Sequence, residues 1–263
     1  KGNKRNTYIS SLVIIYKTLM KKNINLFGYN LYIELKKRAK PTISNNINIA
    51  ELPKPYKLNF GPGPNWKKPD ISWLSVDIDA SLGEIVVNFQ EFEKLPLENN
   101  SVECVYGSHV FEHMSIFKSQ LVFNEIYRTL RGNGTFRLIL PDAEKSINEY
   151  IKGNHGYELF KRRKERAKKN QKIEYTLFES MREDFLSPNG QANLLGKNAL
   201  AHQNAWAYET IKTHLMRAGF KEEDILKSEF QKSHCDAFQF EGTYPSEANQ
   251  DYRSLYVEAI KHS

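Results

Sequence analysis

Hydrophobic and polar positions alternate in two different ways along this chain. Up to about residue 50, apolar residues recur at intervals of three and four. Ile9, Leu12, Val13, Tyr16, Leu19 and Met20 have the spacing of one helical face. Residues 29–40 repeat the pattern and run into Lys36, Lys37, Arg38 and Lys40 before Pro41, a helix-stop signal. Residues 42–55 are rich in Asn and Pro and read as a linker. From Tyr56 onward, short apolar runs alternate with helical stretches. Strands are predicted at residues 57–60, 73–77, 84–88, 102–106, 135–140, 225–230 and 254–260. Helical spacing appears at residues 117–130, through Leu121, Val122, Ile126, Tyr127 and Leu130. It returns at residues 206–218, where Gly219 offers a left-handed cap. Strands alternating with helices predict an α/β domain built on a mainly parallel sheet.

Between these elements lies a basic stretch, residues 151–183, with Lys161-Arg162-Arg163-Lys164 and Arg166-Ala167-Lys168-Lys169. It reads as helix with a solvated charged face. Residues 187–203 are loop-like. The expected organisation is a helical extension over residues 1–50, then a domain over 51–263 with a basic helical insert at about 151–200. No internal repeat is present.

With 263 residues and 40% hydrophobic content, the chain can bury one sizeable core beside an appendage. A formal net charge of +7 is compatible with nucleic acid, an anionic membrane surface or an anionic substrate. Lys and Asn are abundant throughout, so the same charge arises without any such partner. The two cysteines, Cys104 and Cys235, form no CxxC pair, and no Cys/His cluster has zinc spacing. No metal and no disulfide framework are expected, and Cys104 reads as a small core residue. The expected setting is a reduced cytoplasm. The apolar run at residues 8–16 is too short to span a bilayer and no leader cleavage pattern follows it, so no transmembrane segment is expected.

Three segments carry candidate chemistry. Leu58-Asn59-Phe60-Gly61-Pro62-Gly63 takes a strand into a glycine-rich turn, where the backbone can approach a ligand closely. Val76-Asp77-Ile78-Asp79 ends the next strand. An acid there can accept the hydroxyls of a ribose, or simply cap a turn. The third is Ser108-His109-Val110-Phe111-Glu112-His113, at the tip of the fourth strand of the domain.

Together these segments resemble the class I SAM-dependent methyltransferases. The likeness is to a subgroup of small-molecule and glycan-pathway enzymes reading LNLGCG, VDID, LPxxDNSVD, SHVLEH and LKPGGxLxIxxPD. Here the corresponding stretches are LNFGPG (58–63), VDID (76–79), LPLENNSVE (95–103), SHVFEH (108–113) and LRGNGTFRLILPD (130–142). It extends to His202 and Trp206, to Ala218-Gly219-Phe220 and to SLYVEAIK (254–261).

The resemblance implies a Rossmann-like, seven-stranded, mostly parallel sheet with helices on both faces, to which the N-terminal helical appendage read from the spacing is added. It implies S-adenosyl-L-methionine (SAM) as cofactor, held by Asn59, Phe60, Gly61, Pro62 and Gly63. Gly61 and Gly63 would flank the methionine carboxylate and the ribose. Asp77 would bind the ribose hydroxyls, Ile78 would pack on adenine, and Glu91 or Phe92 would lie at the adenine edge. Ser108 and His109 would face the methionine end and the acceptor. The sequence departs from the pattern at Pro62 and Asn133, and few residues separate Gly63 from the second strand, so the usual first helix should be short or missing.

Methyl transfer requires an aligned acceptor, deprotonated if it is a hydroxyl. His109, His113 and His202 are the candidate catalytic bases, with His109 first. Glu112 is a further candidate. Glu112 and His113 would alternatively hold the loop, and His202 and Trp206 would alternatively pack a lid. The favoured function is methyl transfer to a small-molecule or saccharide acceptor, at a hydroxyl. One alternative is an RNA methyltransferase using the basic insert, although that insert lacks interleaved aromatics for base stacking. Another is a non-catalytic SAM-binding scaffold. The apolar faces of the N-terminal helices would form a lid or a homodimer contact.

Overall fold

A computed structural model describes residues 20–26, 29–35, 42–43, 47–89, 91–186 and 202–262. The chain divides into two compact units, Lys1–Lys40 and Pro41–Ser263.

In the first unit, β1 (Met20–Leu26) and β2 (Tyr29–Leu35) form an antiparallel pair, in register from Leu26↔Tyr29 to Met20↔Leu35. Residues 29–35 are therefore strand where helix was expected over 29–40, and residues 36–40 lie outside the described residues. Leu31, Ile33 and Leu35 alternate with Asn30, Tyr32 and Glu34, which is the period of a strand. The register closes at Leu26↔Tyr29, a spacing typical of hairpins. The helix expected around residues 9–20 falls mostly outside the described residues.

The second unit is built on one sheet of order β3-β6-β5-β4-β7-β8-β10-β9. Its strands are β3 (Thr42–Ile43), β4 (Tyr56–Phe60), β5 (Trp73–Asp77), β6 (Ile85–Val86), β7 (Val102–Ser108), β8 (Leu130–Pro141), β9 (Ile225–Ser228) and β10 (Ser254–Lys261). Strands β6, β5, β4, β7 and β8 are mutually parallel, and β10 runs antiparallel between β8 and β9. These seven strands make the Rossmann-like, mostly parallel sheet. The two-residue β3, from the segment read as a linker, adds an antiparallel edge.

The central strands are buried nearly throughout, which is why they read as continuous apolar runs. Alternate residues divide between two cores. On one face Leu58, Leu74, Val105 and Leu138 join α1 (Ile116–Thr129) and α5 (Tyr208–Ala218) through Val122, Phe123, Ile126, Ile211 and Leu215. On the other, Trp73, Tyr106, Ile139 and Tyr256 meet Trp66, Phe238, Phe240 and Tyr244. The first helix after β4 is indeed missing: residues 61–72 contain turns and no helix. Aromatic rings close that face, with Trp73 and Phe240 edge to face at 5.1 Å.

After α2 (Ala143–Ile151), the basic stretch forms α3 (Glu158–Gln171) and α4 (Leu177–Arg182), which pack through a small cluster of Tyr157, Leu159 and Phe160 with Leu177 and Met181. Arg163 of α3 is buried and grips Asp184 through both terminal nitrogens, at 2.7 and 3.0 Å. Among the described residues no helix is long and apolar enough to cross a membrane.

Candidate active site

Strand order reverses at β4, with β5 on one side and β7 on the other. In open parallel sheets ligands bind at the carboxyl ends of strands at such a reversal. A cleft of about 520 Å³ opens there, between the turn after β4, the tip of β7 and the loop from Tyr244 to Gln250.

The turn after β4 is shaped by two left-handed residues, Gly61 at φ 57° and Gly63 at φ 68°. A Cβ on Gly61 would lie 2.7 Å from Val110 Cγ2, so this position accepts no side chain. At Gly63 a Cβ would meet nothing within 4 Å, so the chain there borders open space. Pro62 sits between them on the cleft wall and leaves this geometry intact. Two polar groups in the cleft wall are buried without a hydrogen-bond partner, the Asn59 amide nitrogen and the Ser108 hydroxyl. Buried polar groups are normally paired. A donor and a hydroxyl left waiting beside a glycine cradle fit a polar ligand such as the amino-acid end of SAM.

Asp77 ends β5 and its carboxylate accepts the Asp79 N–H at 2.9 Å, so it does cap a turn. Burial pushes its carboxyl above the usual range, against the hydrogen bonds from Asp79 and Ile78 and with repulsion from Asp79. Ile78 beside it is 42% exposed, an apolar surface open to a stacking partner. Neither residue lines the cleft itself. Glu91 is half-buried and likewise lies outside the lining. Phe60 and Phe92 both have fully buried rings, Phe60 against Phe89 and Phe111, and neither is part of the cleft lining.

His109 does line the cleft. Its backbone is left-handed at φ 51°, a strained state for a residue with a side chain. Its N–H donates to the Ile139 carbonyl at 2.8 Å. The ring is fixed on both sides: Nε2 lies 3.0 Å from Ser254 Oγ, and Nδ1 lies 3.5 Å from Glu112 and 3.7 Å from Glu247. Glu247, also paired with Arg253, stands on the cleft rim. No sequence pattern pointed to Tyr244, Glu247 or Gln250, because they come from a turn-rich segment without periodicity, and Ser254 read only as the start of the last strand.

His113 and His202 do not line the cleft. They flank Glu112, which is buried behind His109. Burial pushes the Glu112 carboxyl up, but His109, His113 and His202 around it outweigh that and hold it below the usual range. Burial lowers His202, against the pull of Glu112. Trp206 is a fully buried core side chain against Phe123 and His214.

Residues 75–138 match the family model described as a methyltransferase domain. None of the curated proteins matches the sequence. Three solved structures resemble the fold. One is a complex of the Haloferax volcanii Trm112 methyltransferase activator with a methyltransferase (12% identity, 82% of this chain and 87% of that one, TM-score 0.42). The second is a SAM-dependent methyltransferase from Archaeoglobus fulgidus (14%, 78% and 86%, TM-score 0.41). The third is an S-adenosylmethionine-dependent methyltransferase from Mesorhizobium loti (12%, 81% and 94%, TM-score 0.41). At these identities none of them says anything about this chain's acceptor. The matched segment runs from β5 through the tip of β7 to the middle of β8 and so includes one wall of the site, the tip of β7. This segment is therefore similar to a methyltransferase domain, and it sits in a Rossmann-like, mostly parallel sheet.

Proposed function

We propose that this chain is a SAM-dependent methyltransferase that acts on a hydroxyl of a small molecule or saccharide, with His109 as the base. The observation that carries this reading is the placement of His109. Its imidazole lines the cleft beside Ser108, clamped by Ser254 on one nitrogen and faced by two carboxylates on the other. A carboxylate beside an imidazole orients the ring, as a base positioned for proton transfer requires.

When bound, SAM supplies a methyl group on a positively charged sulfur. Gly61, Pro62, Gly63, Asn59 and Ser108 would hold its amino-acid end, and Asp77 and Ile78 its nucleoside end. The rest of the cleft then belongs to the acceptor. Tyr244 offers an aromatic ring, while Glu247, Gln250 and Asn65 offer hydrogen-bonding groups at the rim. An aromatic face with carboxylate and amide partners suits a polyhydroxylated ligand. The RNA reading loses ground because Arg163 and Arg166 of the basic helix are tied to Asp184 and Glu183 within the fold.

The test is methyl transfer from labelled SAM to fractionated cell extract, comparing wild type with His109→Ala. Turnover should fall by roughly 10²–10⁴-fold, the usual contribution of a general base. SAM affinity measured by calorimetry should be nearly unchanged. Retained turnover in a folded His109→Ala protein refutes the assignment, and labelled RNA in the extract would replace the acceptor class.

A further inference from the structure

Behind the cleft, Glu112, His113 and His202 each bring one ligand-type atom within 4.8 Å of the others. Two imidazoles and one carboxylate form the donor set used for catalytic zinc and for other divalent first-row metals. No local spacing marks the cluster, because His202 is far from the other two along the chain.

Three observations separate this cluster from an ordinary ion-paired glutamate. The Glu112 side chain is 2% exposed, and its Oε2 has no hydrogen-bond partner. His113 Nδ1 is likewise buried and unpartnered, while its Nε2 lies 3.8 Å from Glu112 Oε1, too long for a hydrogen bond between them. His202 Nδ1 lies 3.1 Å from the Asp184 carbonyl oxygen, which can only accept, so the ring donates there. Metal-binding histidines are commonly oriented in this way, by one ring nitrogen held on a carbonyl. The backbone fixes the pairing as well. Gln203 N–H and Asn204 N–H both donate to the Glu112 carbonyl, at 2.8 and 3.2 Å, which anchors His202 beside Glu112.

We infer that Glu112, His113 and His202 bind one divalent transition-metal ion, adjoining the cleft through His109. The metal site involves neither the acceptor nor the base assigned above, so it stands or falls separately from them. Three protein ligands leave coordination positions for water or a substrate oxygen.

The test is titration of the purified full chain, stripped with chelator, with Zn²⁺ by calorimetry and with Co²⁺ by visible absorption. One ion per chain and a Co²⁺ d–d band are expected. Glu112→Gln and His202→Ala should each weaken Zn²⁺ binding by more than the roughly 10–100-fold that loss of a supporting hydrogen bond costs a metal site. Circular dichroism and SAM affinity serve as folding controls. His202→Gln, which preserves size, replaces any variant that fails them. Absence of saturable one-to-one binding for both ions overturns the inference. So does binding that is indifferent to both substitutions, since it would come from surface histidines.

Discussion

Substituting Gly61 isolates one physical cause of the cofactor loop's shape. Gly61→Ala meets two obstacles. An L-residue at φ 57° carries left-handed strain of about 1–2 kcal/mol. Its new Cβ would also lie 2.7 Å from Val110 Cγ2 and 3.0 Å from Val110 Cβ, a side chain branched at Cβ with little freedom to swing away. Overpacking of that kind typically adds about 1–3 kcal/mol. Gly63→Ala has the same backbone strain at φ 68° and no steric partner within 4 Å. Urea denaturation should therefore show Gly61→Ala losing about 2–5 kcal/mol, the sum of strain and overpacking, and Gly63→Ala about 1–2 kcal/mol, the strain alone. The double variant Gly61→Ala/Val110→Ala should recover the steric part while retaining the strain. Equal losses at the two glycines, or no recovery on trimming Val110, would refute the claim that close approach of the β7 tip dictates glycine at 61.

Asp77→Ala should weaken SAM binding by about 1.5–3 kcal/mol, the range for hydrogen bonds to a charged group, and unchanged affinity by calorimetry would remove its ribose role. Because burial raises the Asp77 carboxyl, protonation begins above the ordinary aspartate value of about 3.9. Wild-type SAM affinity should then decline as pH falls through that raised value, while Asp77→Asn, with nothing to titrate there, should show a flatter profile over the same acid range.

The sheet was legible because its central strands are buried on both faces and have no helical period to imitate. The predicted strand at 73–77 coincides with β5, and the predicted helix at 117–130 is within a residue of α1. Failures came where two periods fit the same residues. In β2, Leu31 and Leu35 satisfy helical spacing and strand alternation equally, and the basic run before Pro41 tipped the reading toward helix. The departure from the family pattern at Asn133 falls in an irregularity inside β8. The ladder jumps from Val102↔Leu130 to Cys104↔Thr135, with Asn133 left-handed at φ 59°. The glycine cradle and Ser108 were legible because a strand end next to glycine or a small polar residue has few other uses. The second wall of the cleft was not. Ser254 and Glu247 reach His109 from the end of the chain, and nothing local marks either.

Arg137 shows how a sequence hides an energetic centre, and it carries a prediction of its own. It sits in the run Thr135 to Leu140, where it looks like one polar interruption in an apolar strand, yet its side chain is fully buried. All five of its N–H donors are used. Nε and one Nη2–H go to Glu241 at 3.0 and 2.7 Å, and the other Nη2–H goes to the Glu229 carbonyl at 2.8 Å. Nη1 reaches Glu258 and Ser228, each at 3.0 Å. The two carboxylates come from chain segments more than 100 residues away, so the guanidinium joins β8, β10 and the loop after β9 into one unit. Arg137→Met keeps the bulk and removes the charge, which strands two buried carboxylates. Breaking a buried pair in this way costs about 3–5 kcal/mol. Arg137→Lys should recover little, since three rotatable donors cannot replace a five-donor planar fork. The combination Arg137→Met/Glu241→Gln/Glu258→Gln removes the stranded charges and should regain a large part of the loss, because most of the single-mutant cost lies in the unpaired carboxylates. If denaturation instead shows Arg137→Met within 1 kcal/mol of wild type, or the triple variant no better than the single one, the guanidinium is not what binds these segments together.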